Sequence, residues 1–181
     1  MSTYPPISDG QIISVGLLRA ITGTEVVKAA NTDRASTTTL VDDPELVAYL
    51  EPNAVYKVAF SLMVAGRNSV AGDLGGNFKT EWSTPPGSTG LKSVFGPGSA
   101  QPNTANADGV APRIGVHVFD TDMTYALVRN STASLLVVRE WCDELTTTAA
   151  GMLSLAWAQG DAHATATRIA AGSSLSYRRI G

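Results

Sequence analysis

The chain has 181 residues, enough for a single domain with a sizeable core. Apolar residues make up 44% and charged residues only 16%, with a net charge of −3 and no basic cluster, which excludes a phosphate-tracking nucleic-acid surface. The single cysteine, Cys142, excludes an intramolecular disulfide framework and a cysteine zinc cluster, and the most apolar stretch, 54–66, is far shorter than the ~20 residues of a membrane-spanning helix.

In chain order, residues 1–23 read as an N-terminal arm. It has neither a basic nor an apolar secretory region, so the expectation is a soluble chain made in the cytoplasm. Within it, 12–21 supports either a short helix with Leu17, Leu18 and Ile21 on one face, weakened by Gly16, or an extended segment. From residue 24 onward period-2 alternation dominates. Strands are predicted at 24–28, 38–41 and 46–50, the last two separated by a break at Asp42-Asp43-Pro44. The 54–66 segment places Tyr56, Val58, Phe60, Leu62 and Val64 on a core face, and Val55, Lys57, Ala59, Ser61 and Met63 on a mixed one. Residues 77–83 repeat the pattern, with Phe78, Thr80 and Trp82 opposed to Lys79, Glu81 and Ser83.

The stretch 84–113 is rich in Pro and Gly and reads as a long surface loop. Either it has no task or it reaches a partner, with Leu91, Val94 and Phe95 as anchors. Further strands follow at 115–120, 124–129, 134–141, 151–159, 165–170 and 174–180, with breaks at Asn130-Ser131 and Gly160-Asp161. Many short strands with Asp, Asn, Gly and Pro punctuation predict an all-β fold: an antiparallel, jelly-roll-like β-sandwich in one domain, 24–181. Jelly-roll and immunoglobulin-like strand orders share this signal.

Little in the chain suggests catalysis. His117 alternates with Val116 and Val118 in a strand, and His163 follows a turn. Neither accompanies a nucleophile elbow or a metalloprotease helix. The run Gly72 to Asn77 lacks the Lys-Ser/Thr of a phosphate loop. The pairs Asp42-Asp43 and Asp120-Thr121-Asp122 fit Asx turns better than a calcium site, which needs about six to eight oxygens in a Gly-marked loop. Cys142 reads as a packing residue. No catalytic, cofactor-binding or metal-ligating residue is assigned, and the chain is read as a non-enzyme. Trp82 and Trp157 are expected in the core, while Trp141 fits core or surface.

Six stretches taken together carry a resemblance: "KAANTDRASTTTLVDDPEL" (28–46), "EPNAVY" (51–56), "AGDL" (71–74), "EWSTPPGS" (81–88), "LAWAQGDAHATAT" (155–167) and "AGSSL" (171–175). In this order they resemble a β-sandwich module of virion proteins of tailed phages of actinobacteria, found in head-decoration or minor capsid proteins and in tail-fibre-like proteins. The resemblance implies a structural protein at the virion surface. Its expected partners are the major capsid protein and further copies of itself, as a homotrimer. The arm would then dock on the shell or lace subunits through Ile12, Ile13, Leu17 and Leu18. The alternative is a short tail-fibre or receptor-binding module contacting a host cell-wall glycan through exposed aromatics. A polysaccharide-processing enzyme is the weakest reading.

Overall fold

The computed structural model describes residues 5, 7–67, 77–98, 111–127 and 131–181. The segment 12–21 resolves into an extended lead and one short helix, α1 (Val15–Thr22). Ser14 caps it, its Oγ accepting from the Leu17 N–H at 3.2 Å. Gly23, at φ +81°, ends it in the left-handed conformation that glycine adopts freely.

Twelve strands follow among the described residues: β1 (Thr24–Val27), β2 (Thr32–Arg34), β3 (Val41–Leu50), β4 (Ala54–Gly66), β5 (Phe78–Ser83), β6 (Leu91–Pro97), β7 (Pro112–Val118), β8 (Met123–Tyr125), β9 (Ser131–Thr147), β10 (Gly151–Gln159), β11 (Thr167–Ile169) and β12 (Ser174–Arg179). They form two antiparallel sheets. The larger runs β1-β12-β4-β9-β6-β7, with β11 and β2 branching from β4, and the smaller runs β3-β10-β5-β8. From β3 to β12 the chain crosses between the sheets at nearly every connection. The protein is therefore an all-β sandwich, as the alternation predicts.

The core lies between the sheets. On β4, Tyr56, Val58, Phe60, Leu62 and Val64 all point into it, and from the facing sheet come Phe78, Trp82, Leu153, Leu155 and Trp157. Phe60 meets Trp82 edge-on at 5.0 Å between ring centroids. Side chains of this size bury about 1.5–3 kcal/mol each, which makes the period-2 pattern the main determinant of the sheet faces.

Several boundaries differ from the predicted ones, for physical reasons. The Asp42-Asp43-Pro44 break falls inside one strand, β3, as an interruption of its ladder: pairing with β10 stops between Asp42 and Val47. The Asp43 carboxylate accepts the N–H groups of Glu45 and Leu46, and the register against β10 shifts there, between Ser154 and Ala156. On an edge strand at a bulge, the missing N–H of Pro44 costs no ladder bond. The predicted loop 84–113 contains two strands, β6 and β7, paired from Leu91↔Val118 to Pro97↔Pro112. Pro and Gly content hid a short alternation whose inward face is Lys92, Val94 and Gly96. Residues 99–110 of that stretch lie outside the described residues, as does the "AGDL" motif.

β9 is also longer than predicted. It continues beyond Trp141 because two residues, Asp143 and Glu144, bulge opposite Lys57 and return Leu145 and Thr147 to the core side. β10 is buried on both faces from Leu153 to Gln159, which its small Ser154, Ala156 and Ala158 permit.

Candidate functional site

Among the described residues, the sandwich interior holds two clusters built on a buried carboxylate that the alternation pattern does not reveal. The first centres on Glu140 of β9, fully buried on the core face. Its Oε1 accepts from Thr80 Oγ1 at 2.5 Å and from the Tyr125 hydroxyl at 2.8 Å, and its Oε2 accepts from Trp82 Nε1 at 2.8 Å. Lys92 Nζ stands 3.3 Å from Oε2, paired by charge without a directed hydrogen bond. Burial lowers the Lys92 pKa, and the Glu140 charge opposes that shift. Burial, followed by the Glu140 charge, drives the Tyr125 hydroxyl far above its ordinary value, so it remains a donor. Four strands, β5, β6, β8 and β9, thus meet on one carboxylate.

The second cluster centres on Asp43. Its Oδ1 accepts from Lys28 Nζ at 2.9 Å, and its Oδ2 accepts from Trp157 Nε1 at 3.2 Å. Lys28 also reaches Glu45 at 3.0 Å, and Glu45 accepts the Ala29 N–H at 2.6 Å, tying the chain after β1 onto β3. Arg34 of β2 spans to the other sheet: its guanidinium donates to the carbonyls of Val41, Asp42 and Trp157 and lies 4.0 Å from the Trp157 ring centroid. These contacts clasp the edge of one sheet to the edge of the other.

Carboxylates near this clasp make stability depend on pH. Arg168 holds Asp33 below its ordinary value, chiefly through hydrogen bonding, and Glu45 is held low first by the Ala29 N–H and then by Lys28. Folded, both bind fewer protons than when unfolded. Their stabilisation is complete above the usual carboxylate range and is lost as pH falls through their depressed values. Glu81, raised by burial and then by Asp122, has the opposite sign: its contribution weakens as pH rises through its shifted range. The melting temperature should therefore drop below about pH 4, and Glu45→Gln should shrink that drop in a melting series across pH.

The sequence-predicted site residues are distributed as follows. Trp82 and Trp157 are core residues, each with its N–H on a buried carboxylate. Trp141 lies half-buried on the outer face of the larger sheet. It borders a shallow groove of about 540 Å³ with Glu25, Lys57, Arg139, Ser176 and Arg178. Arg139 stacks over it at 5.6 Å, and Lys57 pairs with Asp143 at 3.4 Å. Cys142 is buried, and burial raises its pKa, so the thiol is a packing group in a protonated state. His163 is tied into its turn, with Nδ1 accepting the Thr165 N–H at 2.9 Å. Among the described residues, no three His, Cys, Asp or Glu side chains converge as metal ligands.

Of the predicted loop anchors, Leu91 and Phe95 are exposed. Val94 is not: it is 0% exposed, because β6 is a strand and its even-numbered residues face the core. In the arm, Ile12 is 89% exposed, Ile13 and Leu18 are exposed, and Leu17 is half-buried.

Leu91 and Phe95 belong to a larger surface. On the outer face of the β6–β7 pair, Leu91 sits opposite Val118, Ser93 opposite Val116, and Phe95 opposite Ile114. Ile114, Val116 and Val118 are all exposed, and Val137 and Leu135 extend the patch along β9. Ile114, Val116 and Val118 are not among the contact residues singled out from the sequence. Their signal, apolar residues at every second position, was present, but a buried strand face gives the same signal.

No protein-family model, curated protein or solved structure matches this chain.

Proposed function

We propose that the protein is a structural component of a tailed-phage virion: a capsid decoration (minor capsid) protein that binds the outer head surface, assembles as a trimer and stabilises the shell. Besides the sequence resemblance, one observation carries this reading. The sandwich spends its buried ionisable groups on holding its own sheets together, while it turns contiguous apolar surface outward at the β6–β7 face. Monomers seldom expose contiguous apolar patches beyond a few hundred Å² unless a partner covers them. In this role such surface joins copies of the protein to one another, and the assembled copies, repeated over many sites on a shell, supply stability through avidity, with no catalytic group required.

The test is direct. Purified protein added to undecorated heads should bind them and raise their melting temperature; neither binding nor a shift would overturn the proposal. A second reading, a module contacting host cell-wall glycan, is favoured by one feature, the groove in which Trp141 is flanked by Arg139, Lys57 and Glu25. Adsorption to host cell walls that is lost in Trp141→Ala, without head binding, would select that reading.

A further inference from the structure

The chain exposes a second apolar surface, on its arm. In α1, Val15, Leu18 and Ile21 fall at i, i+3 and i+6, and all are exposed, as are Ile12 and Ile13 in the lead before it. An amphipathic helix normally turns its apolar stripe inward; this one leaves it in solvent.

Within one copy, as the chain is folded, the helix is held away from that face. α1 packs beside β12, three strand spacings from β6 and four from β7 in the same sheet. At ~4.8 Å per spacing that is about 14–19 Å. Each surface is also large. At roughly 100 Å² for each half-exposed side chain, the five apolar residues of the arm and the five of the β6–β7 face each present on the order of 500 Å², together about the 1,000 Å² that a specific interface needs.

We infer that the arm of one copy docks on the outer β6–β7 face of the next copy, with Val15, Leu18 and Ile21 against Ile114, Val116 and Phe95. Because two different patches meet, the contact is head-to-tail. It forms a closed ring where the rotation between copies divides the circle, and an open chain otherwise. The edge strand β7 gains a cover in the same step. This contact stands on the two surfaces alone and does not depend on a virion setting.

Single-cysteine reporters test it. Leu18→Cys and Val116→Cys place thiols on exposed positions of the two patches, and the native Cys142 is buried. Under mild oxidation, a mixture of the two variants should give a disulfide-linked pair containing one chain of each, while neither variant alone should cross-link. Sedimentation of the unmodified chain at micromolar concentration should show an oligomer, and Val116→Lys or Leu18→Lys should return it to a monomer that still unfolds in one cooperative transition, at a lower temperature than the oligomer. A monomeric unmodified chain, absence of the mixed disulfide, or cross-linking of Val116→Cys with itself would each overturn the inference. The last result would mean edge-to-edge β7 pairing. Loss of head binding in an assembly-competent protein would count against the virion role and leave this contact standing.

Discussion

Glu140→Ala is expected to cost about 3–5 kcal/mol, the scale for removing one partner of a buried ion pair. The substitution strips the acceptor from Thr80, Trp82 and Tyr125 at once and leaves the Lys92 ammonium buried without a counter-charge. Against a total stability of about 5–15 kcal/mol, this removes much of the margin. A urea titration should show the midpoint falling with little change in slope, and the Trp82 near-ultraviolet signal should broaden. Lys92→Met should cost less, because Glu140 would keep three hydrogen-bond donors while an unpaired lysine would keep none. The combination Glu140→Gln with Lys92→Met should lose less than the sum of its parts, since the amide retains an acceptor oxygen and no charge is left alone. Equal losses for Glu140→Ala and Lys92→Met would show that the carboxylate is not the centre of the cluster.

Asp43→Ala should be comparably damaging, at about 3–5 kcal/mol, though Asp43 lies on a short-side-chain segment that reads as a turn. Its two oxygens take four donors: Lys28, the Trp157 indole, and the N–H groups of Glu45 and Leu46. Its loss therefore leaves the buried Lys28 with only the partly exposed Glu45 as counter-charge, and also releases the bulge that carries Pro44. Asp43→Asn should recover part of the loss, because the amide oxygen can still accept the two backbone N–H groups. Hydrogen exchange should locate the damage, with protection lost first along β3 and in the segment after β1. Uniform loss across both sheets would instead mean that Asp43 acts only through global stability.

The same two carboxylates show where sequence reading stops. Alternation placed Tyr56, Val58, Phe60, Leu62 and Val64 on the core face of β4, and Phe78, Thr80 and Trp82 on that of β5, and the structure has them there. Those assignments rest on a local rule, a side-chain period of two, that no distant contact can alter without flipping a whole strand. Glu140 and Lys92 obey the same rule, since both fall on core-side positions. Each by itself reads as an exposed charge. Only the pairing of β9 with β6, and the approach of β5 and β8 from the other sheet, brings the partners that make their burial tolerable.

Loop reading failed at 84–113 for a related reason. Proline and glycine content is a statement about local flexibility. β6 is held by its neighbours, with β9 on one side and β7 on the other. The outward-facing residues divide the same way. Ile114, Val116 and Val118 are visible as an apolar alternation, yet a strand in the middle of a sandwich and one at its edge share that pattern. Period and punctuation, which act over a few residues, determined the sandwich class and the inward faces of its main strands. Which charges are buried, which apolar rows meet solvent and which edges lie open depend on contacts between residues far apart in the chain, and those were decided only when the two sheets closed on each other.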